Sequence, residues 1–335
     1  MNINFSIVVP VYNRPEEIRE LLESLSKQDF KEDFEVVIVE DGSREDSREI
    51  AKGFEDSLNI SYYYKENSGP GDSRNYGMER AKGNYFIILD SDCILPPQYL
   101  GEVDRELRRE FVHCFGGPDA ADASFSRVQK AINYVMTSLF TTGGIRGGRK
   151  SVGKFQPRSF NMGISREAFK QVGGFGRIHP GEDPDLTFRI WKAGFDSRLF
   201  PRAFVYHKRR IDWDKFYVQV RKFGMVRPIL NRWHPGTSRI TYWFPSLFML
   251  GLLVSITALF LGVWLPAMLY MAYFLLLFLH AWKSVGDLKV AFLALYAALT
   301  QFSGYGYGFL KSSILLTFSG KEPQELFPKL FFKKS

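Results

Sequence analysis

Three places in the sequence pair carboxylates in ways that can do chemistry. Asp90-Ser91-Asp92 sets two of them on alternating sides of a short turn, and hard oxygen donors so spaced suit Mg²⁺ or Mn²⁺ bridged to phosphate. Asp-x-Asp alone is a weak signal, because a solvated turn explains it equally well; its place directly after an apolar run strengthens it. Glu40-Asp41, followed by Gly42-Ser43, puts acidic side chains where they can accept hydrogen bonds from a base imide or a ribose hydroxyl, or can form a polar turn before the next helix. Glu182-Asp183 is the pair to search for a general base, the structural alternative being that both cap the helix containing Leu186, Phe188 and Trp191. Cys93 follows Asp92 but has no histidine or basic partner legible in the sequence, so it reads as a packed thiol.

The elements that must position these residues alternate. Residues 5–11 form an apolar, β-branched run expected of a strand buried on both faces. A helix should follow, capped by Asn13 with Glu16 three residues on, Pro15 in its first turn, and Ile18, Leu21, Leu22 and Leu25 as its apolar stripe. Strands are expected at 34–39, 60–64 and 85–89, with a helix at 72–81. Strands alternating with helices imply an α/β fold with an open, mostly parallel sheet and helices on both faces, in which ligands bind beyond the carboxyl ends of the strands. The pattern then loosens into a short strand near 111–115, a helix at 125–140, and a Gly-, Arg- and Lys-rich loop at 141–154 that should be mobile.

Composition divides the 335 residues into two parts, charged before about Trp233 and apolar after Tyr242. We therefore expect a catalytic domain at 1–235 and a membrane-anchoring helical region at 236–335. Residues 241–265 are long and apolar enough to span a bilayer and 266–282 offer a second span, whereas 290–318 carry Gly304, Gly306, Gly308 and Lys311, which leaves spanning, kinking and re-entry open, with an interfacial or re-entrant segment favoured by the charge of the residues that follow. The net charge of +8 is concentrated near the apolar runs, at Arg209, Arg210, Arg221, Lys222, Arg227, Arg232 and Arg239, which favours anionic lipid headgroups over nucleic acid. Two cysteines give no disulfide framework, and the N-terminus lacks the regions of a signal peptide, so the expected location is a multi-pass protein of the cell inner membrane with its catalytic domain cytoplasmic. A two-span hairpin returning Lys283 and Lys289 to the cytoplasm agrees with the positive-inside rule.

The motifs together resemble the family 2 glycosyltransferases of GT-A fold, over roughly residues 5–210. Pro10-Val11-Tyr12-Asn13 matches the family's first-strand motif; Gly71, Arg74 and Asn75 match its Gly and Ala-Arg-Asn segment, with Ser73 in place of Ala. Asp90 and Asp92 match its metal motif, and Gly173-Gly174-Phe175 with Gly181-Glu182-Asp183 its late acceptor-side motif. The resemblance implies an inverting, hexosyltransferase-type enzyme. It would move a sugar from a nucleoside-diphosphate sugar, with UDP first and GDP second, to a glycan or polyprenyl-linked acceptor at the membrane, as in polysaccharide biosynthesis. It further implies donor binding by Pro10, Tyr12, Glu40, Asp41, Arg74 and Asp90, and a Mn²⁺ or Mg²⁺ site of Asp90, Asp92 and His207. Asp183 would be the base, with Glu182 as runner-up, and Asn161, Met162 and Gly163 part of the acceptor-side wall. Lys150, Arg158 and Arg189 are cations that can reach diphosphate oxygens or remain solvated. Glu40 departs from the family's usual Asp-Asp-Gly-Ser, which leaves the base open.

Two other readings compete. A processive polysaccharide synthase would carry a Gln-x-x-Arg-Trp motif, which Gln219-Val220-Arg221 and Arg232-Trp233 do not make. A non-catalytic nucleotide-sugar-binding membrane scaffold would not need Asp90, Asp92, Glu182 and Asp183 together. A dinucleotide oxidoreductase is excluded more firmly, since no Gly-rich phosphate loop follows the first strand.

Overall fold

The structure is a computed structural model, described here for residues 3–120, 125–142, 155–207 and 212–332. In chain order it runs β1 (Phe5–Val11), α1 (Pro15–Ser26), β2 (Glu35–Asp41), α2 (Arg48–Lys52), β3 (Asn59–Lys65), α3 (Pro70–Arg80), β4 (Tyr85–Leu89), β5 (Cys93–Ile94), α4 (Tyr99–Arg109), β6 (Cys114–Gly116) and β7 (Asp119–Ala120). There follow α5 (Arg127–Thr137), α6 (Leu139–Thr142), β8 (Asn161–Ser165), α7 (Arg166–Val172), α8 (Glu182–Lys192), β9 (Ser197–Leu199), β10 (Val205–His207), α9 (Trp213–Trp233), α10 (Phe244–Phe260), α11 (Leu265–Val285) and α12 (Leu288–Phe318). Two compact units result, one of residues Met1–Asp122, Arg149–Lys208 and Phe331–Ser335, the other of Ala123–Gly148 and Arg209–Leu330.

The first unit is built on a seven-stranded sheet ordered β3-β2-β1-β4-β8-β6-β9. β8 runs antiparallel to both of its neighbours and the other pairs are parallel, so the sheet is mostly parallel as expected. Its central strands are apolar throughout because they pack on both sides. Ile7, Val9, Ile38, Ile87 and Leu89 meet α1 and α4 on one face. Val8, Val37, Val39, Phe86 and Ile88 meet Met78 of α3 and Leu186 and Ile190 of α8 on the other. A three-stranded ribbon, β5-β10-β7, adjoins the end of β4.

One expected cap is corrected. Asn13 does not cap α1: it sits at φ 52°, accepts from the Arg44 amide at 2.8 Å and donates its own amide to Ser43 Oγ at 2.7 Å. It ties the loop after β1 to the loop after β2, and Arg14 holds the cap position without a side-chain bond.

In the second unit, α12 is one unbroken helix of 31 residues, so the kinked and re-entrant alternatives for this stretch do not hold. Its glycines serve close packing instead. A Cβ on Gly308 would fall 2.3 Å from the Arg221 carbonyl oxygen and one on Gly224 would fall 2.2 Å from that of Tyr305, so α9 and α12 cross with their backbones almost in contact. Composition drew its boundary near residue 235, whereas packing groups α9 with the apolar helices. Two helical stretches, Ile240–Phe260 and Leu265–Val285, are long and apolar enough to cross a membrane, with mean hydropathies of 1.9 and 1.6. Of the loop expected to be mobile, residues 143–154 lie outside the described residues, as do Arg209 and Arg210.

Candidate active site

Asp90 and Asp92 flank the turn after β4, where the Cys93 amide donates to the Asp90 carbonyl at 3.1 Å. Each carboxylate meets a guanidinium: Arg74 Nη2 lies 2.8 Å from Asp90 Oδ1, and Arg14 Nη1 lies 2.8 Å from Asp92 Oδ2. Positive charge therefore already stands at both acids, and the donor set fits a hard divalent cation. No cluster of three or more ligating side chains forms among the described residues. Two carboxylates would leave the remaining positions to phosphate oxygens and water, as suits Mg²⁺. The backbone register sets His207 opposite Cys93, one residue past Asp92, so β10 brings the third expected ligand position to this turn.

Glu40 and Asp41 are the last two residues of β2, and the strand's alternation turns them to different tasks. Glu40 is fully buried. It accepts from Ser43 Oγ, from the Ser47 amide at 3.0 Å and hydroxyl at 2.6 Å, and from Tyr62 at 3.0 Å. Its carboxylate thus braces the loop between β2 and α2, a burial that corrects the expectation of a side chain directed at a nucleoside. The Tyr62 hydroxyl is raised out of its ordinary range by burial and then by the Glu40 charge. Asp41, also buried, turns instead to the loop that enters α3. It accepts from Lys65 Nζ at 2.7 Å and from the Ser68 and Gly69 amides at 2.9 and 3.0 Å, which shapes the turn entering α3.

α3 then joins the turn held by Asp41 to the segment that leads into the Glu182-Asp183 pair. Asn75 accepts from the Phe175 amide at 2.7 Å and donates to the Phe175 carbonyl at 2.9 Å. One turn of α3 is thereby fixed to the Gly173-Gly174-Phe175 segment. Gly174 has φ 63°, and a Cβ there would fall 2.2 Å from Asn75 Oδ1. Arg74, one residue earlier and almost fully buried, bridges Asp90 and Glu182, the latter at 3.3 Å.

Glu182 and Asp183 open α8 but occupy opposite electrostatic situations. Burial pushes the Glu182 carboxyl up, yet a hydrogen bond to His179 at 2.9 Å and the charges of His179 and Arg74 outweigh it and hold Glu182 well below the usual carboxylate range. Asp183 is pushed up to about 6, first by burial and then by the Glu182 charge, against the opposing pull of Arg74 and Arg158. Its Oδ1 is shielded from solvent and has no hydrogen-bond partner. A carboxylate raised to about 6 is still largely ionised at neutral pH yet more basic than usual, and with an oxygen that has no hydrogen-bond partner it is suited to accept a proton from a hydroxyl.

The remaining candidates divide. Tyr12 is exposed just beyond β1, and Pro10 pairs with Val39 inside the sheet. Asn161 is fully buried and bonded to Tyr99 at 2.6 Å and the Ala203 carbonyl at 2.8 Å. The Phe115 ring lies on the face of Gly163, so β8 is sheet interior rather than an acceptor wall. Arg189 braces the Val172 and Gly174 carbonyls and Asp185. Cys93 is buried and directs its thiol at the Phe160 carbonyl, with burial raising it well above the ordinary value. Lys150 lies outside the described residues. Arg14, Lys65 and His179 were missed by sequence reasoning. His179, three residues before Glu182, was the one with a spacing signal.

The model of Glycosyl transferase family 2 matches residues 6–173, half of the chain. Poly(ribitol-phosphate) beta-N-acetylglucosaminyltransferase TarS of Staphylococcus aureus is 41% identical over 93 residues, 27% of this chain and 16% of that protein. GalNAc(5)-diNAcBac-PP-undecaprenol beta-1,3-glucosyltransferase of Campylobacter jejuni is 29% identical over 114 residues, 33% of this chain and 37% of that one. The matches thus span well under two thirds of these relatives. Among solved structures, mannosyltransferase PcManGT from Pyrobaculum calidifontis, in complex with GDP-Man and Mn²⁺, superposes with a TM-score of 0.56 at 16% identity, covering 96% of this chain and 89% of that one, which shows a shared fold. The chain belongs to glycosyltransferase family 2 and has the GT-A fold.

Proposed function

We propose that the protein transfers one sugar, with inversion, from a nucleoside-diphosphate sugar to a lipid-linked or membrane-proximal glycan at the cytoplasmic face of the inner membrane. The observation that carries the reading is the divergence of the two neighbouring carboxylates, Glu182 locked to Arg74 and His179 while Asp183 keeps a free, shielded oxygen. In the reaction the acceptor oxygen bonds to the anomeric carbon while the bond from that carbon to the diphosphate breaks. The electron pair leaves with the diphosphate, and the acceptor proton passes to Asp183. Asp41 fixes the turn that starts α3, Arg74 holds Asp90 in place, and Tyr12 offers an exposed ring beside the donor end of β1.

Asp90 and Asp92, with His207 at the facing register position, would hold a Mn²⁺ or Mg²⁺ ion. The chemistry such an ion supplies is neutralisation of charge on the departing diphosphate. Support for a lipid-linked acceptor comes from the undecaprenol named for the Campylobacter relative and from the two apolar helices. The test is release of nucleoside diphosphate by purified protein with Mn²⁺, a panel of UDP- and GDP-sugars, and undecaprenyl-linked acceptors. Release with no donor in the panel, from protein that binds nucleoside diphosphate, would favour the non-catalytic scaffold.

A further inference from the structure

Residues 331 and 332 belong to the catalytic unit although the 122 residues before them belong to the other. Phe331 makes an antiparallel bridge with Ile178, and the Phe332 amide donates to the Arg177 carbonyl at 3.1 Å. The Phe332 ring lies 5.9 Å from the ring of His179, whose Nδ1 is bonded to Glu182 at 2.9 Å. On its other side the ring rests on Gly69, at φ 96°, where a Cβ would fall 2.4 Å from ring carbons. Gly69 is the residue whose amide Asp41 holds. A single side chain therefore touches the turn that opens α3 and the loop that leads into the carboxylate pair, and it closes a cavity of about 30 Å³ lined by Ser68, Asp72, Asn75 and His179.

We propose that Phe332 is a positioning residue for the 177–183 loop, keeping Glu182 and Asp183 in register with the donor side of the site. The proposal rests on the reading of Asp183 as the base. The loop has no strand or helix of its own before Glu182, so it depends on neighbours for its place. The strand-like pairing with 331–332 supplies backbone support, and the ring supplies bulk between His179 and Gly69. A shift of about 1 Å in a reacting group can lower turnover by about 10²-fold, so a support of this kind acts on rate without touching substrate.

The experiment compares full-length wild type, Phe332→Ala and Phe332→Tyr by amide hydrogen exchange and by transfer kinetics with the donor found in the panel. Phe332→Ala should speed exchange at 177–183 and lower kcat about tenfold or more while leaving the affinity for nucleoside diphosphate and Mn²⁺ unchanged, and Phe332→Tyr should restore both. Unchanged exchange at 177–183 overturns the proposal. So does an unchanged or increased kcat, which would make the ring a bystander or an obstruction, and so does a loss confined to donor affinity. Asp183→Asn, run alongside, separates the two readings. Normal turnover in Asp183→Asn rejects the base assignment, while the exchange data on Phe332→Ala still decide whether the loop depends on the ring.

Discussion

Glu182 and Asp183 are neighbours in the chain, and their separation in charge comes from what each one faces. Asp183→Asn keeps size and removes the proposed proton acceptor, so transfer should fall by about 10² to 10⁴ with donor affinity retained, as measured by product formation and calorimetry. A base must be unprotonated to work. Because Asp183 is raised to about 6, wild-type turnover should fall as pH drops through that value. In Glu182→Gln the neighbouring negative charge that raises Asp183 is gone, so the acid limb of the pH–rate profile should move to lower pH. A limb that stays in place would assign it to another group. Asp92→Ala should abolish the Mn²⁺ dependence of nucleoside-diphosphate binding, read by calorimetry with and without the ion, since it removes one of two carboxylate donors. The carboxylates of this site were legible in the sequence because each stands beside a strand end or a glycine-rich turn. Arg14 and Lys65 were not, because a lone cation on a loop or strand end carries no spacing signal until folding brings it to a carboxylate 78 or 24 residues away.

The central strands β1, β2 and β4 were legible for the same physical reason that they are stable: burial on both faces leaves a continuous apolar run with no polar alternation to confuse it. Glu40 escaped that reading. Its motif suggested a ligand-facing acid, but β2 extends two residues further than the apolar run and carries Glu40 into the interior, where four donors offset its burial. Element contacts invisible in the sequence also fix the site. Asn75→Ala would leave the Phe175 amide and carbonyl without partners and should destabilise the catalytic unit by about 1–3 kcal/mol, seen as a lower denaturant midpoint with an unchanged slope. The glycines of α12 misled in the opposite direction, suggesting a break where close packing uses them. Gly224→Val should force α9 from α12 and lower the melting temperature of the detergent-solubilised protein, whereas Gly236→Val, where a Cβ meets nothing, changes only a turn at φ 87° and should cost less.

At the scale of the whole chain, composition alone suggested that a cut near residue 235 separates a soluble enzyme from its anchor. The packing of α9 against α12 predicts another outcome. Protein ending at His234 would expose the α9 face that Gly304 and Gly308 cover and should aggregate, whereas the intact protein should stay in the membrane pellet through a high-salt wash. A soluble, monomeric product after that cut, judged by light scattering, would show that α9 needs no partner. The deeper consequence lies in the order of synthesis. The chain passes between the two units four times, after residues 122, 148, 208 and 330. Ribosomes deliver β1 to β4 early, but β8, β9 and β10 emerge only after the 123–148 stretch, and Phe331 only after both apolar helices. The sheet can therefore nucleate from its first ninety residues or so, yet the first unit gains its last residues only after the two apolar helices have been made. If α10 and α11 cross a membrane, insertion and catalytic maturation become one sequence of events, and a defect in the first should be read out as loss of the second.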